Sequence, residues 1–185
     1  MKDPRVMRWQ DHVKATIARG NYRDLRSDLV LAVIATESSG NPWAWNAEPK
    51  YRWLWNVKTD AAFRQMRADE IDAEVPPPDF PSCSGTDRDQ EWWGQQASWG
   101  LMQIMGAAAR EQGFRGAYLV ELVDPFTNIE YGLKHLWNYA YQYGNRSTGQ
   151  ALNRWSGDQS GAYSTRVLKK LGDIEAAQDL HPSSL

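Results

Sequence analysis

Leu29-Val30-Leu31-Ala32-Val33-Ile34-Ala35-Thr36, running into Glu37-Ser38-Ser39-Gly40-Asn41-Pro42, is the most apolar stretch of the chain, and the rest is read outward from it. Ser27 stands where an N-cap is expected, and Gly40 with Pro42 supplies a stop, so the pattern predicts a helix over about 27–38. Glu37, in its last turn, borders a buried helix near the negative end of the helix dipole. Desolvation and the dipole both disfavour its ionised form. A carboxylic acid in such a place stays protonated near neutral pH, as a general acid must. The reading still open at this point is a Glu that caps the helix rim in solvent.

Outward from this helix the periodicity stays helical. Asp3 as N-cap and Pro4 at the first helical position open a helix that ends near Gly20, with Val6, Trp9, Val13 and Ile17 on one face. From Trp99 onward, helices are predicted over 106–112, 126–143, 148–155 and 163–171, parted by Gly113, Gly116, Gly144 and the 157–161 stretch. The tail from Asp173 is expected to fray. The middle differs in kind. Tyr51, Trp53, Trp55 and Val57 alternate with Arg52, Leu54 and Asn56, which predicts a short strand or hairpin. A helical piece is expected over about 61–70, and Val75-Pro76-Pro77-Pro78-Asp79-Phe80-Pro81 forbids regular structure. The chain thus reads as mainly α, a single domain over 1–185 with a small β-hairpin or loop-rich insert at about 43–98.

A hydrophobic content of 42% and a charged content of 24% in 185 residues are those of a globular domain with a sizeable core. The 10 Trp and 8 Tyr stand out, with Trp43, Trp45, Trp53, Trp55, Trp92, Trp93 and Trp99 in one central stretch. Such rings pack cores or stack on sugars. Net charge is −2, with residues 1–26 at +4 and residues 69–91 at −7, so no basic groove for nucleic acid is indicated. The lone Cys83 excludes an internal disulfide and has no His near it to activate a thiol. His12, His135 and His181 lie far apart, so neither a metal nor another cofactor is expected. The apolar run falls far short of the roughly 20 residues of a membrane span, and no apolar segment follows Met1-Lys2-Asp3-Pro4-Arg5. Synthesis in the cytoplasm without a signal peptide and without membrane insertion is therefore expected.

Three separated pieces align with one family. Glu37-Ser38-Ser39-Gly40-Asn41-Pro42 resembles the "ES" motif of soluble lytic transglycosylases and goose-type lysozymes. Trp99-Gly100-Leu101-Met102-Gln103-Ile104-Met105 matches their "GLMQ" motif, and Asp124-Pro125-Phe126-Thr127-Asn128-Ile129, with Gly132 and Leu136, resembles the helix that follows. A weaker fourth match runs from Ala151 to Gly157 and on to Tyr163, Val167 and Leu168. The resemblance covers about 27–42 and 98–171.

It implies a lysozyme-like fold, peptidoglycan glycan strands as substrate, a monomer and Glu37 as the catalytic acid. Ser38 or Ser39 would orient the carboxyl, with C-capping as the alternative. Gly100 would let a sugar approach the backbone, Gln103 would meet an acetamido group, and Met102 and Met105 would line the substrate, while Leu101 and Ile104 stay core. Trp43, with Trp45, would line a sugar groove, whereas Trp92 and Trp93 are expected to pack. Tyr51, Trp53 and Trp55 either stack on sugars or form the hidden face of a hairpin. Asn128 caps its helix or reaches the site. Trp155 and Ser156 depart from the family, which has Tyr and Asn there. Trp keeps an aromatic face and an N–H donor but no acceptor, and Tyr163 can supply the nearby hydroxyl.

The resemblance leaves two reactions. A lytic transglycosylase needs only Glu37 and forms a 1,6-anhydro ring, whereas a goose-type lysozyme would draw a second carboxylate from Asp87, Asp89 or Glu91. A third reading, from another class, is a non-catalytic peptidoglycan-binding virion or assembly module. By analogy the setting is a bacteriophage protein, either an endolysin released by a holin or a virion-associated enzyme.

Overall fold

In the computed structural model, residues 3–22, 25–82, 87–138 and 147–179 are described; Cys83 and His181 lie outside them, as does the predicted helix beyond 138. The chain forms two compact units, Met1–Asn41 with Leu133–Leu185 and Pro42–Gly132.

The terminal unit is helical. It comprises α1 (Pro4–Met7), α2 (Gln10–Gly20), α3 (Ser27–Glu37), the last residues of a helix that begins in the other unit, α7 (Thr148–Ser156) and α8 (Ala162–Asp179), the labels following chain order. The apolar run does what its composition dictates: Leu29 to Ile34 are all buried, and α2 and α8 pack on α3. Ser27 is the first helical residue rather than the cap. Arg26 holds the cap position and its guanidinium pairs with Asp28 and with Glu175 of α8.

The helix predicted from Pro4 to Gly20 is broken at Arg8–Trp9. The break lets Arg8 Nη2 and Trp9 Nε1 both donate to the carbonyl of Gly40, at 3.1 and 3.4 Å. Gly40 is required there, because its φ is +76° and a Cβ would stand 2.4 Å from the Arg5 carbonyl oxygen. Thr16 rather than Ile17 completes the buried face of α2. At the other end α8 does not stop at Leu171 or fray from Asp173 but runs to Asp179, since Ile174 continues the buried row of Tyr163, Val167 and Leu171.

The central unit holds a small antiparallel sheet in the order β1 (Trp45–Ala47), β4 (Ala97–Trp99), β5 (Ile104–Met105), with Trp45 opposite Trp99 and Ser98 opposite Met105. A hairpin of two short strands pairs β2 (Trp55–Asn56) with β3 (Ala61–Ala62) across a loop of residues 57–60. Of the two faces left open for its alternating residues, the hidden one is that of Leu54: Leu54 is 2% exposed and Trp53 71%, because Leu54 enters a core with Met66, Phe80, Trp92 and Ala107. Trp92 packs edge-on to Phe80 at 5.1 Å and donates its N–H to Ala73.

The helical piece expected over 61–70 is absent. Arg64 instead pairs with Glu70 and Asp79 and so folds the loop about itself. An unpredicted helix, α4 (Arg88–Gln95), is capped by Asp87, which accepts from Gln90 N at 2.7 Å. It is followed by α5 (Gly106–Glu111), a 3-10 turn at Leu119–Val123 and α6 (Pro125–Leu136), the helix that crosses into the terminal unit.

Candidate active site

Within the terminal unit, Glu37 ends α3 half-buried, and two later elements converge on it. Tyr163, at the start of α8 and 5% exposed, donates its hydroxyl to Glu37 Oε1 at 2.5 Å. Trp155, near the end of α7, donates Nε1–H to the same oxygen at 3.3 Å. Among the described residues these are the hydrogen bonds to the carboxyl, and both fall on Oε1.

The loop between the two donors is locked by Asp158. One of its oxygens accepts from Ser160 N and Oγ, and the other accepts from Tyr163 N at 2.7 Å. Those bonds hold the Asp158 carboxyl below its usual proton affinity, the Ser160 hydroxyl contributing most. Gly157, left-handed at φ +69°, ends α7 just before it. The ring of His135 packs 5.3 Å from that of Trp155. Burial pushes the His135 imidazole down to about 4, so it is neutral at ordinary working pH.

The electrostatics of Glu37 follow from opposed effects. Burial raises its pKa above the ordinary 4.5, and the hydrogen bonds from Tyr163 and Trp155 and the charge of Arg166 pull it partly back. The Tyr163 hydroxyl is pushed up by its own burial and by the Glu37 charge, so it stays a donor. The site therefore holds a carboxyl that keeps its proton longer than a surface Glu, with donors ready to stabilise the carboxylate once the proton has gone.

The other expected residues are placed as follows. Ser38 Oγ donates back to the Ile34 carbonyl at 3.2 Å, and Ser39 is exposed with a left-handed φ of +52°. The carboxyl is oriented by Tyr163 and Trp155 rather than by either serine.

In the central unit Trp43 is 73% exposed. Met102 is fully buried, its sulfur 2.6 Å from where a Cβ on Gly132 would lie. Gly100 is buried at φ +68°, where a Cβ would meet Asn128 Nδ2 at 2.4 Å, so packing already demands the glycine. Asn128 is itself fully used, accepting from Met102 N and donating to Trp99 and Leu122 carbonyls. Gln103 adopts φ +48°. Its Nε2 donates to the Ala44 and Gly100 carbonyls and its Oε1 accepts from Ser98. Those bonds brace the GLMQ turn and the start of β1. Met105 is half-buried against the cluster of Ile104, Ala108 and Phe114.

Asp158, His135 and Arg166 were missed by sequence reasoning. Only Asp158 carried a signal, an Asp-x-Ser turn at a helix start.

Removing a donor from the carboxylate should weaken the acid further. If Glu37 is the acid that the family resemblance implies, Tyr163→Phe is expected to lower glycan cleavage about tenfold and to move the alkaline limb of the rate profile to higher pH. Trp155→Phe should do the same to a smaller extent, in keeping with its longer bond. Rates on purified cell wall between pH 4 and 9 check both. An alkaline limb that stayed in place would mean that neither group senses the Glu37 charge.

Against known families, residues 82–163 match the model of the transglycosylase SLT domain. The match takes in Gly100 to Gln103, Asn128 and Trp155 and ends at Tyr163; it does not extend back to Glu37. No curated protein and no solved structure matches the chain.

Proposed function

The chain belongs to the SLT/lysozyme-like family, whose domain implies a peptidoglycan substrate, and from that premise we propose that it is a lytic transglycosylase. It cleaves the β-1,4 bond between N-acetylmuramic acid and N-acetylglucosamine, with Glu37 as general acid and then base. The observation that carries this reading is the pair of donors on one oxygen of a buried carboxyl. With Oε1 occupied by Tyr163 and Trp155, the transferable proton belongs on Oε2.

In the first step that proton passes to the glycosidic oxygen as the C1–O bond breaks, and the 2-acetamido carbonyl of the muramic acid bonds to C1. In the second, the C6 hydroxyl of the same sugar attacks C1 and displaces the acetamido oxygen. Glu37 Oε2 takes the hydroxyl proton, so the acid is restored and no water is consumed. The two states of Glu37 ask for opposite environments. Burial favours the protonated one, while Tyr163, Trp155 and the Arg166 charge favour the carboxylate.

A lysozyme reading needs a second carboxylate to activate water or attack C1. Of its three candidates, Asp89 is exposed in the first turn of α4, while Asp87 caps α4 and Glu91 is buried in an ion pair with Arg110 at 2.8 Å. Asp87 and Glu91 are thus committed elsewhere, which supports the one-carboxyl reaction. Among the described residues, no helix is long and apolar enough to cross a membrane.

Mass spectrometry of the soluble products from purified peptidoglycan tests the proposal. Muropeptides ending in 1,6-anhydro sugar, lighter by one water than reducing-end products, are expected. Reducing ends would make the enzyme a hydrolase, and the absence of any product despite wall binding would make it a binding module.

A further inference from the structure

Arg166 lies one turn beyond Tyr163 on α8, with its side chain exposed. Its guanidinium stands 5.7 Å from the centroid of the Tyr163 ring, whose hydroxyl bonds Glu37. The cation is close enough to Glu37 and to Asp158 to draw down the proton affinity of both. Yet neither carboxylate is its hydrogen-bond partner. The Asp158 oxygens are taken by Ser160 and the Tyr163 N–H, and Glu37 Oε1 by Tyr163 and Trp155.

Among the described residues the Arg166 guanidinium makes no hydrogen bond and no ion pair, only the ring contact. Arg64 and Arg110, by contrast, spend their N–H groups on carboxylates, and Arg52, which among the described residues likewise has only a ring contact, stacks on Trp53 in the other unit. An uncommitted planar fork, held over an aromatic ring beside the reacting carboxyl, matches a carboxylate in shape and charge.

Resting on the peptidoglycan-cleaving reading, we propose that Arg166 recognises a carboxylate borne by the glycan next to the bond being cut. N-acetylmuramic acid differs from N-acetylglucosamine by a lactyl ether at C3. The carboxylate comes from one of two sources. In stripped glycan it is the lactyl group itself, and in intact wall it belongs to the peptide attached to that group. A polymer of N-acetylglucosamine alone has neither. Arg166 thus makes the site selective for muramic acid through charge, apart from any contact to the sugar rings.

Binding is measured with Glu37→Gln, which leaves ligands uncut and keeps position 37 neutral like the working acid. Three soluble ligands are titrated: glycan chains with peptides, glycan chains stripped of peptides, and chitohexaose. Adding Arg166→Gln is expected to weaken binding of acidic chains about five- to tenfold and to flatten their salt dependence, with chitohexaose unchanged. Arg166→Lys, which keeps the charge but loses the fork, should fall between. A loss confined to stripped chains identifies the lactyl carboxylate, and one confined to peptide-bearing chains identifies the stem. Equal losses on all three ligands, or no loss on either acidic chain, overturn the proposal. If Glu37→Gln with Arg166 intact bound none of the three, the peptidoglycan reading would fall as well; binding without discrimination removes only Arg166.

Discussion

Replacing Glu37 by glutamine is expected to lower glycan cleavage about a thousandfold and to leave the chain folded. The amide keeps the shape of the side chain and an oxygen that can still accept from Tyr163 and Trp155. It has no proton of suitable acidity to give. The stability of the variant carries a second, independent expectation. Because burial raises the Glu37 pKa above 4.5 in the folded chain, the native state holds that proton more tightly than the unfolded one. The stability this contributes is fully present below pH 4.5 and is lost as pH rises through the raised native value. Glutamine carries no charge at any pH. The variant should therefore melt no lower than the parent at pH 7, with the difference shrinking toward pH 4. Thermal melts at the two pH values, paired with lysis rates, check this. Near-parental lysis would put the acid elsewhere. A variant melting well below the parent at pH 7 would mean that the native carboxylate stabilises the fold, contrary to the burial argument.

What was legible in the sequence follows from the range of the forces involved. The 29–36 run announces a buried helix because its composition leaves no polar face, and just past its end at Glu37 the backbone turns left-handed at Ser39 and Gly40, where a Cβ on Gly40 would have no room. These are local facts. The hairpin face stayed open in the sequence because period-two alternation says that two faces differ but not which one meets the core: Leu54 is covered by Phe80 and Trp92, and Trp53 is left in solvent. The expected helix over 61–70 failed for a similar reason. Its propensity is overruled by Arg64 reaching Asp79, 15 positions on.

At the candidate site, Glu37 stood out from its neighbours alone, but its donors lie 118 and 126 positions away. The motif resemblance drew attention to Trp155 and Tyr163; only the folded chain brings their donors onto one oxygen. Arg166 had no local mark at all, because an exposed Arg on a helix looks like any solvated charge. Gln103 and Asn128 show the converse. Polar residues in a family motif suggest ligand contacts, yet in the folded chain their amides tie one backbone segment to another.

Glu91 is where the structure departs most from a reading of charge alone, and it carries the largest expected effect on stability. In the sequence it belongs to the acidic 69–91 stretch and stands only as one of three candidates for a second carboxylate. In the fold it is 1% exposed and meets Arg110, itself 0% exposed, through two charge-assisted bonds: Nε to Oε1 at 2.9 Å and Nη2 to Oε2 at 2.8 Å. Gln95 Nε2 donates to the same Oε1, and Arg110 Nη1 donates to the Phe114 and Gly116 carbonyls. Both charges are thus fully satisfied, which is what makes the burial tolerable. Arg110→Ala strands a buried carboxylate and the Gly116 carbonyl at once, the Phe114 carbonyl keeping Arg115 as a donor. It is expected to cost about 3–5 kcal/mol, which at roughly 2–4 °C per kcal/mol for a chain of this size lowers the melting temperature by roughly 6–20 °C. The double variant Glu91→Leu with Arg110→Met removes both charges together and should recover most of that loss, because neither is left unpaired. Melts of the two variants beside the parent test the pairing, and equal losses would show that packing rather than charge dominates. Glu91→Gln then separates structure from chemistry. Measured on folded protein at low temperature, it should cleave peptidoglycan at close to the parental rate while melting well below it. A folded Glu91→Gln that lost cleavage a thousandfold would instead make Glu91 the second carboxylate, and the enzyme a hydrolase.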